Sequence, residues 1–154
     1  MLRRLANGEL DHADVQALLA MHGAELRAAA PPGGSHVLGV DGLRIPAITF
    51  FSARDEADCL LGVAALKALP EGEGEVKSMR VDPLAVRRGV GGFLLDALIR
   101  EARSRGYATL RLETGRDPLF DASIALYRRA GFVETARFGD YPDHPYKLFM
   151  ALAL

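Results

Sequence analysis

Arg87-Arg88-Gly89-Val90-Gly91-Gly92 stands between an extended run, Glu73 to Asp82, and a segment where Gly91, Leu94, Leu95, Leu98 and Ala102 recur at helical spacing. Arg103 and Arg105 lie in the last turn of that segment and Gly106 ends it, so a strand, a turn and a helix follow one another here. The first N–H groups of a helix have no intrahelical partner and carry the positive end of its dipole. Glycines let a bulky anion approach those groups, and two adjacent arginines add charge at the rim, so a pyrophosphate fits. The same residues would also serve if the glycines only permitted a tight turn and close packing, with the arginines solvated.

Other phosphate loops match less well. No Gly-Lys-Ser or Gly-Lys-Thr is present, which disfavours a nucleoside triphosphatase. A dinucleotide fingerprint needs a third small residue where Leu94 stands, although Glu113 lies near the place of its acidic partner.

Working outward, Asp11 is placed to cap a helix over 12–29, whose Val15, Leu18, Leu19, His22 and Leu26 share a face until Pro31-Pro32-Gly33-Gly34 stops it. Residues 35–44 read as irregular with at most one helical turn, 45–53 as a strand, and Arg54 to Asp58 as a turn. The runs 59–69 and 73–82, joined by Pro70-Glu71-Gly72, should pair antiparallel. Beyond the central helix, 107–114 reads as a strand, and Asp117-Pro118 opens a helix that closes at Ala130-Gly131. Two extended runs, 132–138 and 146–154, end the chain, and the class is α+β or mixed α/β.

A chain of 154 residues, 49% of them hydrophobic, suits one domain over 1–154. The formal net charge of -1 gives no field for a polyanion, so nucleic acid is not expected as a partner. A lone cysteine, Cys59, suits the reducing cytoplasm. Arg3 and Arg4 are not followed by a leader-like apolar stretch, and no run reaches the roughly 20 apolar residues that cross a bilayer. His12, His22, His36 and His144 share no metal-ligand spacing, so no metal is expected.

Glu75-Val-Lys-Ser-Met-Arg-Val-Asp-Pro83, Arg87-Arg-Gly-Val-Gly91 and Leu126-Tyr-Arg-Arg-Ala-Gly-Phe132 together resemble the successive signatures of the GNAT acetyltransferases. Pro31-Pro32, Ser35-His36, Ile48 to Ser52, Leu112 to Gly115 and Phe138-Gly-Asp-Tyr141 extend the resemblance to the bacterial YsnE-type subgroup, over nearly the whole chain. The resemblance implies a curved, mostly antiparallel sheet of six to seven strands, splayed centrally and flanked by helices, with acetyl-CoA as cosubstrate in the splay. It assigns the pyrophosphate to Arg87, Arg88, Gly89, Val90, Gly91 and Gly92, and the pantetheine amides to Met79, Arg80 and Val81. Val86 departs from the Gln or Arg usual in the wider family, which withdraws a side-chain contact to phosphate. Phe120 stands where many members carry an Asn against the pantetheine arm, a feature the subgroup shares.

Acetyl transfer to an amine needs a deprotonated nucleophile, a polarised carbonyl and a proton for the departing thiolate. Glu75 stands where some members hold a general base; period-two alternation puts it on one face with Lys77, Met79 and Val81, about 13 Å from Met79, so it would work through water. Glu75 could equally be solvated or paired with an arginine. The Met79 N–H would polarise the carbonyl, and Tyr127 is the expected general acid, its other reading being a core aromatic beside Phe120, Ser123 and Ile124. His22 reads as part of the first helix's inward face, His36, after the proline-glycine turn, as lining the acceptor pocket or as having no special role, and Cys59 as a small packing residue.

The acceptor would enter between residues 35–44 and 138–145, with Arg44, Arg80 and Arg111 available for the carboxylate of an amino acid or similar small molecule, although all three would equally serve as surface charges. A protein or peptide acceptor and a non-catalytic acyl-CoA-binding module are the alternatives. The run 132–138 and the final strand offer edges for a homodimer.

Overall fold

The computed structural model describes residues 3–154; Met1 and Leu2, where the N-terminal leader reading begins, lie outside the described residues. The strands are β1 (Arg3–Asn7), β2 (Ile48–Asp55), β3 (Leu60–Leu69), β4 (Glu73–Val81), β5 (Thr109–Gly115), β6 (Val133–Glu134) and β7 (Lys147–Ala153). The helices are α1 (Ala13–Ala29), α2 (Val90–Ser104) and α3 (Asp121–Ala130). One mixed sheet of seven strands runs β1-β2-β3-β4-β5-β7-β6, antiparallel at every pairing except β4 with β5.

β3 reads Leu-Leu-Gly-Val-Ala-Ala-Leu because both its faces are covered, so a central strand has no polar side to show. Ala64 and Leu66 face the larger core with Leu94, Leu98, Leu110 and Met150, beneath α2 and α3. Val63 and Ala65 face a smaller core with Val15, Leu18, Leu19 and Phe50, beneath α1. Among the described residues no helix is long and apolar enough to cross a membrane.

Several local expectations need correction. His12, not Asp11, precedes α1 as its N-cap, because the Asp11 carboxylate is taken by Arg44 at 2.6 Å. Arg54 and Asp55 end β2 rather than opening a turn, the Arg54 charge being buried among carboxylates. β1 was not foreseen. The run 132–138 keeps only two strand residues: Phe138 turns away to stack on Tyr141 and Phe149, while Arg137 Nη1 donates to the Tyr141 carbonyl. β7 lies between β5 and β6, so of the two segments expected to offer a free edge only β6 does. At Asp117 the expected cap is present; its carboxylate accepts from the Leu119 N–H across a short 3-10 turn, and α3 follows.

Candidate active site

β4 and β5 hydrogen-bond only from Glu73 to Glu75 against Thr109 to Arg111, then part, so the sheet opens at its centre. Within β4 the pairing with β3 steps from Lys77 opposite Ala65 to Arg80 opposite Val63, a bulge with Ser78 at φ 49°. That extra residue reverses the faces of the strand. Glu75, Lys77 and Arg80 share the α1 face, while Met79 and Val81 join Val76 in the larger core, so the expected common face of Glu75, Lys77, Met79 and Val81 is overturned beyond Lys77.

A cavity of about 860 Å³ runs through this opening. At one end stand Arg87, Gly89, Val90, Gly91 and Gly92; the middle is lined by Ser78, Met79, Arg80, Val81, Phe120 and Tyr127, and the other end by His36, Glu75, Lys77, Glu113 and Tyr141. Every residue that the sequence reading assigned to acetyl-CoA or to catalysis lies on its wall except Arg88, an exposed neighbour whose carbonyl accepts from the Arg3 guanidinium, while Arg44 and Arg111, expected near the acceptor, do not line it.

The turn before α2 has the properties an anion requires. Gly89, the N-cap, sits at φ 77° and supplies no side-chain cap, which leaves the first N–H groups of α2 to an external partner. Gly91 answers a packing demand instead: a Cβ there would stand 3.1 Å from Leu126 of α3. The packing reading of these glycines therefore holds at Gly91. Arg87 also holds a left-handed φ of 62°, and it lines the cavity mouth.

At the far end Glu75 is buried, and the Tyr141 hydroxyl donates to its Oε2 at 2.5 Å. Lys77 donates to the same phenol oxygen and lies 3.5 Å from the carboxylate. Burial, reinforced by Glu75, holds the Tyr141 hydroxyl far above its ordinary pKa, so it remains a donor. Next to them Lys147 bridges Glu113 and the Gly34 carbonyl, each at 3.1 Å. Burial raises the Glu113 carboxyl and lowers His36, the latter with help from Lys147 and Lys77.

Tyr127 both packs in the core and borders the cavity. Its ring is tilted against Phe132 at 5.8 Å. Burial pushes its hydroxyl up to about 12. Of the arginines expected to meet an acceptor carboxylate, none is open: Arg44 pairs with Asp11, Arg80 with Glu25 and Arg111 with Glu73. Lys77 and Arg129 are cations on the cavity wall to which the sequence reading gave no role, and Tyr141 and Tyr146 are phenols it missed; the polar loop around 138–145 was the available signal. Among the described residues no group of three or more His, Cys, Asp or Glu side chains could hold a metal ion.

A mixed sheet parted at a parallel pair, with an anion-suited turn at the mouth of the cleft, is the architecture of the acyl-CoA acyltransferases. Residues 18–132 match the Acetyltransferase (GNAT) family, and the chain belongs to it. It is 40% identical over 146 residues to the uncharacterized N-acetyltransferases YedL of Escherichia coli (strain K12) and YsnE of Bacillus subtilis (strain 168), covering 95% of this chain and 91% and 96% of theirs. An IAA acetyltransferase of Azospirillum brasilense is 39% identical over 122 residues, 78% of this chain and 77% of that protein. The crystal structure of a Klebsiella pneumoniae acyl-CoA N-acyltransferase superposes with a TM-score of 0.80 at 29% identity, over 99% of this chain and 98% of that one. A GNAT acetyltransferase from Elizabethkingia anophelis with acetyl-CoA bound has the same fold, with a TM-score of 0.73 at 18% identity over 99% of this chain and 98% of that one. The protein is accordingly an acetyl-CoA-dependent N-acetyltransferase.

Proposed function

We propose that this chain, as a single domain, moves the acetyl group of acetyl-CoA directly to the amine of a small molecule, an amino acid or similar, while both substrates are bound. The observation that carries the reading is the continuity of one cavity from the turn at residues 87–92 to the carboxylate of Glu75.

The residues fit acetyl-CoA, which supplies the activated acyl group. The N–H groups at the start of α2, with Arg87 and Arg88 beside them, would hold its pyrophosphate, and Phe120 would pack on the pantetheine arm. Past the bulge, Met79 to Val81 have no partner strand on the β5 side and would offer their backbone groups to the pantetheine amides. The Met79 N–H then polarises the acyl carbonyl, worth on the order of 3 kcal/mol where such a donor is preorganised. Glu75 receives the amine proton, through water where the amine lies beyond direct reach, since its Oε2 already serves Tyr141 and Lys77. Tyr127, protonated at any working pH, donates toward the departing sulfur.

Thermal shift paired with thiol release tests this, first with acetyl-CoA alone and then with amino acids, polyamines and short peptides. Stabilisation by acetyl-CoA with release that depends on a small amine is the expected result. Stabilisation without release from any acceptor would indicate a binding module, release only with peptides a peptide acetyltransferase, and no stabilisation at saturating acetyl-CoA would refute the assignment of residues 87–92.

A further inference from the structure

β7 alternates as a strand covered on both faces should. Leu148, Met150 and Leu152 enter the larger core, while Lys147 and Phe149 take the opposite face with Glu113 of β5. Phe149 meets Phe138 and Tyr141 there through its ring, but Lys147 brings a charge to the same face with its side chain 0% exposed. An ammonium taken out of water persists where partners compensate it.

Those partners come from three separate elements. The Gly34 carbonyl, in the loop after α1, and Glu113 Oε1, on β5, each accept from Lys147 Nζ at 3.1 Å. Nζ also stands 5.6 Å from the centroid of the Tyr141 ring, in the loop before β7. The loop after α1 brings His36 against the same ring, edge to face at 5.7 Å. Gly34, His36, Glu113 and Tyr141 all line the cavity, whereas Lys147 does not. It stands behind the wall, where three parts of that wall meet.

Stability does not account for the charge, since apolar side chains of similar volume often replace a buried ion pair without loss. What apolar packing lacks is direction. A hydrogen bond to a loop carbonyl fixes where the loop sits, and residues 34–38 belong to no helix or strand that would fix them otherwise. We infer that Lys147 is a positioning residue for the acceptor: by holding the Gly34 loop, Glu113 and Tyr141 in one arrangement, it forms the acceptor end of the cavity without contributing to the turn at residues 87–92. The inference rests on the reading above in which this end receives the amine.

Lys147→Met alone would strand the Glu113 carboxylate, so the test compares Glu113→Gln with the double variant Lys147→Met/Glu113→Gln, which differ in the ammonium. Their ligand-free melting temperatures should agree within about 4 °C. Thiol release is assayed with the small amine that the wild type acetylates fastest. The acceptor KM of the double variant should be about tenfold above that of Glu113→Gln, with kcat within about threefold and the KM for acetyl-CoA within about twofold. Nitrogen-15 relaxation of the ligand-free proteins supplies a readout independent of turnover. Order parameters of residues 34–38 should fall from about 0.85 toward about 0.6 when the ammonium is removed, while those of residues 87–92 hold. Equal acceptor KM values, a loss shared equally by acetyl-CoA, or order parameters that do not move would each overturn the inference. A double variant melting far below Glu113→Gln would also overturn it and make Lys147 a charge that serves stability. Failure of the wild type to acetylate any small amine would instead overturn the proposed function, and this inference with it, whatever the relaxation data show.

Discussion

Two clusters of buried charge lie on the α1 face of the sheet at opposite ends of β3, Arg54 near its start opposite Leu60 and Glu75 near its end opposite Lys67. Arg54 is 3% exposed, and its guanidinium is spent on Glu9 at 2.9 Å, Asp14 at 2.7 Å and the Asp58 carbonyl at 3.0 Å. Glu75 is equally buried, yet its cluster opens on the cavity and includes a phenol and a lysine. Burial and charge are common to both, so neither marks a site by itself. What separates them is hydrogen-bonding capacity left facing space that a substrate can occupy. The first cluster ties the loop before α1 to β2; the second borders the cavity, where the proposed function gives it a proton to accept.

Removing one member from each cluster breaks the comparison most sharply. Glu75→Gln keeps the shape and deletes the base, so turnover should fall about a thousandfold, or ~4 kcal/mol of barrier, with acetyl-CoA affinity unchanged by calorimetry. A variant with more than a tenth of wild-type turnover would move Glu75 into the company of Arg54, as a structural charge.

Arg54→Leu should do the opposite. It leaves Glu9 and Asp14 without their cation, and because Asp14 is 47% exposed the loss is below that of a fully buried pair, about 2–3 kcal/mol by denaturant titration, with turnover per folded molecule retained. The sign with pH is fixed by the same contacts. The Arg54 hydrogen bond holds Asp14 below its ordinary 3.8; for Glu9, burial pushes upward but Ser52 and Arg54 outweigh it and hold the group below 4.5. Folded-state values below the unfolded ones mean that this stabilisation is complete above those ordinary values and is lost as pH falls through the lower folded ones. The stability gap between wild type and Arg54→Leu should therefore narrow below about pH 4.

Tyr127 belongs to the larger core and also lines the cavity, so the proposed proton donation can be separated from its packing. Tyr127→Phe keeps the packing, so the melting temperature should hold while turnover drops about tenfold, ~1.4 kcal/mol, with little change in acetyl-CoA affinity. Unchanged turnover would leave Tyr127 with packing alone.

How much of this was legible follows from the range over which each feature is encoded. α2 carries its own punctuation, glycines before it, an apolar face along it and Gly106 after it, and the turn that precedes it was readable for the same local reason. β1 left no trace because Arg-Arg-Leu-Ala-Asn is a short, largely exposed edge strand without alternation. The bulge at Ser78 was invisible too, since neither glycine nor proline marks it; it is imposed where β4 has left β5 and still follows β3. Charged partners were the least readable part. Arg54 meets Asp14 across 40 positions and Lys77 meets Tyr141 across 64, and pairings at such separations have no periodic signature. Glu75 and Tyr127 were singled out through their motifs and both line the cavity, whereas what surrounds them had to come from the fold.

The smallest effect expected within the Glu75 cluster comes from Tyr141→Phe. Its hydroxyl donates to Glu75 and accepts from Lys77, while its ring packs against His36, Phe138 and Phe149 with centroids 5.6–5.9 Å apart. Phenylalanine retains the ring contacts, and Lys77 already stands 3.5 Å from the carboxylate and can close on it once the phenol oxygen is gone. Turnover should thus fall only about three- to fivefold, roughly what one lost hydrogen bond of ~1 kcal/mol allows. Tyr141→Ala also removes the aromatic contacts that hold the loop after β6, and should raise the acceptor KM as well as lower kcat. A Phe variant as damaged as Glu75→Gln would show that the phenol takes part in the proton transfer itself instead of only holding the Glu75 carboxylate by a hydrogen bond.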